Sequence, residues 1–318
     1  MSRCHVGIEI FVPGRLDPGQ DPNHTSCIIL RHSYGIRGDT VPATLAGAFE
    51  QTRQLMALVL YDDGNHKCVA FTELVQGEGI QSNQFAIIDQ GEGILLDPGG
   101  NLTYKHLIAE LADYFLPSHT RYIFASHQDP DIIASVGGWL LITDAQVIIA
   151  EEWTRFLPHF CMRGATAGRL VAIPPRGMWL RLGGADLQIV PAHYLHTVGF
   201  FQIYDPISKI LFSGDIGASL MDGHAAGLPV SDFDSHLHDS HMLAFHRRYM
   251  TNNKACRLWV DMVRQLDVEW IVPQHGGSFQ GKAMVKRFLD WFETLECGTD
   301  LIGPADFAPP PREAIPHG

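Results

Sequence analysis

Three side chains that can bind a metal ion follow one apolar run at alternating positions. Residues 121–125 are predicted as a strand, and His127, Asp129 and Asp131 come just after it, two residues apart. In extended backbone this spacing directs the three side chains to one side, where imidazole and carboxylate groups could share a cation. Pro130 limits the backbone between the two carboxylates because its ring restricts φ. Asp131 could instead cap the helix predicted after it, and Asp129 could close the turn.

Three further side chains of the same kinds each stand just beyond another apolar run. His196, Asp215 and His275 follow runs that are predicted as three separate strands. Ligands of open α/β sheets bind beyond the carboxyl ends of the strands, so side chains at these ends can meet there. The chance placement of all of them is far less expected than that of any one. The sequence therefore predicts a metal centre along one sheet edge.

The elements that must position these side chains alternate between strand and helix. In the first half, the pattern predicts the hairpin 85–89 and 93–97, the helices 104–115 and 132–141, and the strands 121–125 and 146–150. In the second half it predicts the strands 187–190, 200–204, 210–212 and 269–272, with a helix that ends near residue 266. This alternation is typical of a mixed α/β sheet.

The composition is that of a globular, acidic protein. Of the 318 residues, 46% are hydrophobic and 18% are charged, which allows a sizeable core. A formal net charge of −12 makes nucleic acid and anionic membranes poor candidate partners. The longest apolar run, 132–142, is too short to span a membrane, and the start of the chain lacks the features of a secretory signal. The six cysteines are scattered, which is typical of a cytoplasmic protein.

Three parts of different texture divide the chain. Residues 1–66 form an N-terminal extension of unknown role, with a helical-looking run over 44–60. Residues 67–300 form the predicted di-metal domain, and residues 301–318 form a proline-rich tail that is expected to be extended. The stretch 222–246 is rich in Gly, Asp and His, and its polar segment 232–241 is expected to be a solvated loop, with a lid over the site as the alternative.

The ordered set of candidate ligands resembles the metallo-β-lactamase superfamily and, within it, the di-iron core of the flavodiiron proteins. The steps of 19 residues from His196 to Asp215 and of 60 residues from Asp215 to His275 are similar to the spacing in that core. The segments around these ligands, and the hairpin segments Gln81-Ser-Asn-Gln-Phe-Ala-Ile-Ile and Leu96-Asp97, also resemble it. The similarity covers roughly residues 68–295. It implies an α/β (α+β) metallo-β-lactamase-like fold, a four-layer αββα sandwich.

The resemblance also implies two metal sites that share one bridging carboxylate. The ligands of the first are His127, Asp129 and His196, those of the second are Asp131 and His275, and the bridge is Asp215. Such hard, mixed nitrogen and oxygen ligation suits two Fe ions, with Mn or Zn as alternatives. The zinc hydrolases of the superfamily usually present a His where Asp129 stands, and this difference favours O₂ or redox chemistry over hydrolysis.

Three departures from the flavodiiron pattern affect the interpretation. Asp129 replaces the usual Glu, and its shorter side chain changes how it can reach a metal. Ile132 stands where a His usually follows, which is expected to leave an open position for a diatomic ligand on the second metal. Only 43 residues follow His275, so no FMN domain is expected in this chain, and reduction would need an external electron donor.

The resemblance is closer to the oxygen-binding di-iron type, which lacks the flavodoxin domain. We therefore expect a non-haem di-iron protein that binds O₂, and also NO, as a sensor with a signalling partner or as an oxidoreductase-like O₂/NO reductase. The alternative is a dinuclear metal-dependent hydrolase of an ester, lactone, thioester or phosphodiester. A non-catalytic remnant of the fold, used for interaction, is a third hypothesis. The resemblance also suggests a homodimer.

Several other side chains are candidates for roles around the predicted centre. Tyr194 and Tyr249 are candidate pocket residues, and His193 is a weaker candidate ligand. Asp97 is expected to order the ligand loops by hydrogen bonding, without binding metal itself. If the stretch 222–246 is a lid, a histidine in it could supply protons; these histidines are His236, His238 and His241.

Overall fold

Two sheets form the middle of the structure, a computed structural model that describes residues 57–75, 77–220 and 227–310. In the part of the chain that the structure describes, the first sheet contains seven strands in this spatial order: β1 (Ala57–Asp62), β2 (His66–Phe71), β3 (Gln84–Asp89), β4 (Glu92–Leu96), β5 (Thr120–Phe124), β6 (Gln146–Ala150) and β7 (Leu170–Ile173). Within the described residues, the second sheet contains six strands in this order: β8 (Met178–Leu182), β9 (Ala185–Pro191), β10 (Phe201–Asp205), β11 (Ile210–Gly214), β12 (Trp270–Pro273) and β13 (Phe279–Gln280).

Helices cover the outer face of each sheet. Those beside the first sheet are α1 (Tyr104–Leu111), α2 (Pro130–Ile133) and α3 (Val136–Ile142). Those beside the second sheet are α4 (Phe233–Asp239), α5 (Met242–Tyr249), α6 (Asn253–Val263) and α7 (Lys282–Glu293). Separate apolar clusters fill the space between the sheets and the space under each helical layer. The layers are therefore helix, sheet, sheet and helix, and the predicted four-layer αββα sandwich is confirmed.

The pattern of apolar residues explains how the outer helices pack. In α6 the buried residues are Cys256, Trp259, Val260 and Val263, at positions i, i+3, i+4 and i+7. The buried residues of α7 have the same spacing, and they are Val285, Phe288, Leu289 and Phe292. This spacing places one apolar stripe on each helix. Both stripes belong to the cluster under the second sheet.

Strand direction decides which residues share a sheet edge. The strands β4, β5, β6 and β7 run parallel, and β11 runs parallel to β12. β9 runs in the same direction as β11 because both pair antiparallel with β10. Backbone hydrogen bonds from Asn83 to Gln274 and from Phe201 to Ser126 join the two sheets at this edge. The residues that follow β5, β9, β11 and β12 therefore lie along one side of the sandwich.

Two predicted elements are wrong where the structure describes them. The helical-looking run 44–60 ends in β1, so residues 57–60 are strand, while residues 44–56 lie outside the described residues. In the stretch 222–246, residues 222–226 lie outside the described part. The remainder contains α4 and most of α5. Asp232 begins α4 by accepting a hydrogen bond from the Ser235 N–H at 2.8 Å.

The limits of other elements also differ from the sequence prediction. The predicted helix 132–141 consists of α2 and α3, and α1 ends at Leu111. β1 pairs with β2, so the predicted domain limit between residues 66 and 67 falls within a hairpin. Residues 301–310 are almost entirely exposed and contain a short 3₁₀ turn, and residues 311–318 lie outside the described part. None of the described helices has the length and apolarity needed to cross a bilayer.

Candidate metal centre

The structure brings four of the candidate ligands into one compact group. One ligand atom from each of His127, Asp129, His196 and Asp215 lies within 4.8 Å of the others. The His196 Nε2 atom is 2.8 Å from Asp129 Oδ2 and 3.7 Å from Asp215 Oδ2. The His127 Nε2 atom is 3.6 Å from Asp129 Oδ2 and 3.7 Å from Asp215 Oδ2. These four side chains surround a space of the size that one cation needs.

The remaining two candidate ligands lie on the other side of Asp215. The His275 Nε2 atom is 3.3 Å from Asp131 Oδ2 and 3.6 Å from Asp215 Oδ1. The two carboxylate oxygens of Asp215 therefore face different groups, with Oδ2 toward the first and Oδ1 toward the second. This is the arrangement of a carboxylate that bridges two cations.

Buried atoms without hydrogen-bond partners test whether a metal fits here. His127 Nε2 and Asp215 Oδ1 are both buried, and neither has a hydrogen-bond partner. Leaving such a polar atom unsatisfied costs about 1–3 kcal/mol, so these atoms need a partner. Both point into the cluster of ligand atoms, where a cation would coordinate them. The donor set of three imidazoles and three carboxylates therefore fits a pair of divalent ions.

Hydrogen bonds on the far side of two imidazoles fix which nitrogen faces the centre. The His127 Nδ1 atom is 2.9 Å from Ser126 Oγ, and the Ser126 N–H donates to Asp97 Oδ1 at 2.7 Å. His275 Nδ1 donates to the Gln81 carbonyl oxygen at 2.7 Å. These bonds hold each Nε2 atom toward the other candidate ligand atoms, an arrangement that is usual for histidine ligands of metals. The expected ordering role of Asp97 agrees with this geometry.

The charges in the cluster attract cations. Burial by itself raises the pKa of Asp129, but hydrogen bonds from His127 and His196 outweigh burial and hold its pKa well below the usual range. Burial lowers the pKa of His275, yet Asp131 and Asp215 outweigh this and raise it to about 9. Burial raises the pKa of Asp97 to about 6. The carboxylates beside the imidazoles thus stabilise positive charge at this site, as a cation site requires.

Unusual backbone conformations aim the ligand loops. Tyr194 has φ 64° and His196 has φ 96°, within a turn closed by a 2.8 Å bond from the Tyr194 N–H to the Thr197 carbonyl. Such conformations cost on the order of 1–3 kcal/mol each for residues with side chains. Gly214 comes just before Asp215 with φ +55°, and a Cβ there would lie 2.6 Å from the Phe200 ring. Only glycine meets both demands at this position.

One histidine for which the sequence predicted no role, His246, supports the loop that carries Asp215. His246 is fully buried and lies on α5. Its Nδ1 donates to the Met242 carbonyl at 2.7 Å, and its Nε2 accepts from the Gly217 N–H at 2.9 Å. Burial lowers its pKa to about 4, so the imidazole is neutral near pH 7. The four-residue spacing of Met242 and His246 was the only feature of the sequence that could have predicted this role.

Other candidate residues divide between the centre and its surroundings. The Tyr249 ring lies 5.6 Å from the His196 ring, so it borders the centre. Tyr194 is 55% exposed and lines an apolar cavity of about 660 Å³ beside α6. His193 Nε2 bonds to the Pro175 carbonyl at 2.7 Å, which directs it away from a ligand role. Of the histidines expected in a solvated loop or lid, one is buried on α4 and two are exposed; in order, they are His236, His238 and His241.

Ile132, the residue that was expected to leave an open position on the second metal, lies in the apolar core. Ile132 is fully buried and belongs to the apolar cluster between the first sheet and its helices. Asp131 comes directly before it and is 40% exposed at the side chain. The chain thus supplies a hydrocarbon side chain to the core at the position where the flavodiiron pattern has an imidazole.

Comparisons with known proteins agree with this site. The sequence model of a family described as "ODP family beta lactamase" matches residues 80–276. A solved structure described as a peroxy diiron species of the chemotaxis sensor ODP has 38% identity and a TM-score of 0.68, covering 77% of this chain and 97% of its own. The apo state of chemotaxis sensor ODP from T. denticola also has 38% identity, with a TM-score of 0.69, over 77% of this chain and 96% of its own.

A more distant similarity concerns the fold alone. Rubredoxin oxygen:oxidoreductase from Desulfovibrio gigas is 14% identical, with a TM-score of 0.63, over 74% of this chain and 61% of its own. No curated protein matched the chain by sequence. The family model and the two ODP structures confirm the resemblance that was inferred from the ligand spacing. Because the family's sequence model spans more than half of the chain, this chain belongs to the ODP family of beta-lactamases.

Proposed function

We propose that this chain binds O₂ at a non-haem di-iron centre held by the six residues described above. The observation that carries the proposal is the position of Asp215, whose two oxygens face two separate groups of ligand atoms. A structure with 38% identity that is described as a peroxy diiron species supports O₂ as the ligand.

The donor set supports iron as the metal. Three carboxylates contribute a charge of −3 against the +4 of two ferrous ions, and the ligand group contains oxygen and imidazole nitrogen but no thiolate. Two ferrous ions bound here would supply the electrons that O₂ binding requires. Manganese and zinc remain the alternatives that metal analysis must distinguish.

The protein's own residues hold and shield the centre. Asp215 keeps the two metal positions together, while Ser126 and Gln81 fix the orientation of two imidazoles. The Phe200 ring packs 5.0 Å from His127, and the Phe245 ring lies 6.5 Å from His196. These aromatic rings limit the access of water to one side of the centre. A small apolar ligand such as O₂ or NO needs no charged group for entry.

We further propose that O₂ binding serves as a signal. The 38% identical relative is described as a chemotaxis sensor, and a sensor needs ligand binding without rapid turnover. NO would compete for the same position. An external donor would return the centre to the reduced state, and a signalling partner would read its occupancy.

The first test measures metal content and the response to O₂. Protein is purified without added metal, its iron, manganese and zinc contents are measured, and an anaerobically reduced portion is exposed to O₂ while the visible spectrum is recorded. We expect two irons per chain and a new charge-transfer band. Two zinc ions without an O₂-dependent band would overturn the proposal and favour the hydrolase.

Two substitutions test the assignment of the ligands. Asp215→Ala is expected to lose both metals, because the bridge serves each position. Asp131→Asn is expected to lose the second metal preferentially, since the first retains His127, Asp129 and His196. Asp144→Asn, at an exposed position after α3, serves as the control and should keep both metals. Retention of two tightly bound metals by Asp215→Ala would contradict the bridging role.

A further inference from the structure

A second group of metal-binding side chains lies at the other edge of the sandwich. His66 and Cys68 are two residues apart on β2, and Asp205 ends β10. β10 runs antiparallel to β9 and β11, so its carboxyl end lies at the edge opposite the di-iron centre. All three side chains are buried, with exposed fractions of 1% for His66 and 0% for Cys68 and Asp205.

The ligand atoms of this group converge on one point. His66 Nε2 is 2.9 Å from Asp205 Oδ2 and 3.8 Å from Cys68 Sγ, and Cys68 Sγ is 3.4 Å from Asp205 Oδ2. Tetrahedral zinc would separate such ligands by about 3.4 Å for nitrogen and oxygen and about 3.6 Å for pairs that include sulfur. Each observed distance is therefore within about 0.5 Å of what a bound zinc ion requires.

A fourth residue orients the imidazole as it does in metal sites. The Asp89 Oδ1 atom is 3.0 Å from His66 Nδ1, while its Oδ2 accepts from the Gly184 N–H at 2.6 Å. A carboxylate that holds the second ring nitrogen is the usual neighbour of a histidine ligand. His66 Nε2 is thus directed toward Cys68 and Asp205.

The fourth coordination position has an oxygen beside it. The Ser208 Oγ atom lies 3.6 Å from Cys68 Sγ and also donates a hydrogen bond to Asp205 Oδ2. A water molecule, or the hydroxyl itself, could complete a tetrahedron there.

We propose that His66, Cys68 and Asp205 form a structural zinc site that joins the two sheets. The mixture of thiolate, imidazole and carboxylate suits zinc, whereas the sulfur-free centre at the other edge suits iron. The zinc ion would bind β2 of the first sheet and β10 of the second. Zinc binding would then stabilise the sandwich independently of the di-iron centre.

The alternative is a buried ion pair without metal. Burial lowers the pKa of His66, but its bonds to Asp205 and Asp89 outweigh burial and raise that pKa. Burial raises the pKa of the Cys68 thiol well above its ordinary value. Without a cation, a protonated imidazole would lie between two carboxylates next to a neutral thiol.

Cobalt substitution distinguishes these two states. Co²⁺ is added to the metal-free full-length protein, and the near-ultraviolet spectrum is recorded. A thiolate bound to Co²⁺ gives a charge-transfer band, and the di-iron ligand set contains no sulfur to produce one. We expect the band in the wild type, its loss in Cys68→Ser and its retention in the control Cys161→Ser, which changes a half-buried cysteine on the other side of the first sheet.

Further measurements keep the proposal testable if Cys68→Ser folds poorly. Asp89→Asn retains all three ligands and should weaken zinc binding about tenfold or more, measured by competition with a chelator. Zinc should raise the melting temperature of the wild type. Absence of the cobalt band in the wild type, or its survival in Cys68→Ser, would overturn the zinc site. Iron content and the O₂ response are measured in parallel, so failure of the di-iron proposal is seen separately.

Discussion

The buried imidazole of His246 predicts a specific loss of stability in acid. Both ring nitrogens are used, because Nδ1 donates to the Met242 carbonyl and Nε2 accepts from the Gly217 N–H. Protonation of Nε2 would place two donors against each other inside the core. Gly217 lies two residues after Asp215, so the same event disturbs the loop that carries this candidate ligand.

The size of the effect follows from the two pKa values. The pKa of His246 is about 4 in the folded protein, and its ordinary value of 6.5 applies to the unfolded chain. Since the folded pKa is the lower one, the stabilisation is complete above pH 6.5 and is lost as the pH falls toward 4. Linkage between these values gives a loss of about 2.5 kcal/mol between about pH 7.5 and about pH 4.5.

His246→Gln isolates the contribution of His246 protonation to the loss of stability. The glutamine oxygen can still accept from the Gly217 N–H, while the donor to Met242 is lost at a cost of about 1 kcal/mol that does not depend on pH. Urea unfolding of the metal-free proteins is measured at several values across this pH range. The wild type should lose about 2.5 kcal/mol more than His246→Gln. The exposed His119→Gln should follow the wild type. If the free energies of unfolding of the wild type and His246→Gln change in parallel over the whole range, protonation of His246 does not cause the loss of stability in acid.

Three further predictions concern a glycine next to a candidate ligand, an arginine just before β7 and a buried aspartate near the centre. Gly276→Ala should destabilise the protein by about 2 kcal/mol or more and reduce its metal content, because a Cβ at φ +76° would overlap Ser219. The control Gly164→Ala has φ +86° but open space around it, and it should cost about 1 kcal/mol. Urea unfolding measures both losses. Arg169→Lys should lower the melting temperature and reduce the free energy of unfolding by about 1–3 kcal/mol, because the guanidinium donates hydrogen bonds to the carbonyls of Leu140, Thr143 and Ala145. The control Arg181→Lys changes a surface ion pair and should leave the melting temperature almost unchanged. Burial raises the pKa of Asp97 to about 6, so the metal-free protein should lose stability as the pH rises from about 4 to above 6 and this carboxyl ionises. Asp97→Asn should lack this loss of stability when urea unfolding is measured across the same pH range. Equal pH profiles for the two proteins would contradict the prediction.

Much of the candidate centre could be predicted because its ligands follow strand ends. His127, Asp129 and Asp131 alternate along extended backbone just beyond β5, and His196, Asp215 and His275 stand beyond three other strands. The predicted strand 146–150 matches β6, and the hairpin 85–89 and 93–97 matches β3 and β4 within one residue. These features depend on local periodicity, which a single sequence carries.

Other elements could not be predicted because their local signals were ambiguous. The polar composition of 222–246 obscured the apolar positions of α4 and α5, which are Phe233, Leu237 and Met242. The run 44–60 has a helical pattern, yet its last residues, 57–60, belong to β1, which pairs with β2. Pairing with a neighbouring strand overrides local propensity at such positions.

The sequence by itself determined the chemical types of the donors, their order and the strand ends that carry them. Tertiary structure alone decided that Asp215 turns one oxygen to each ligand group, that His246 supports its loop, and that His66 meets Asp205 from 139 residues away. These relations arise where two sheets pack face to face. A contact across that interface depends on twist, register and burial of the whole sandwich, which no local pattern of residues encodes.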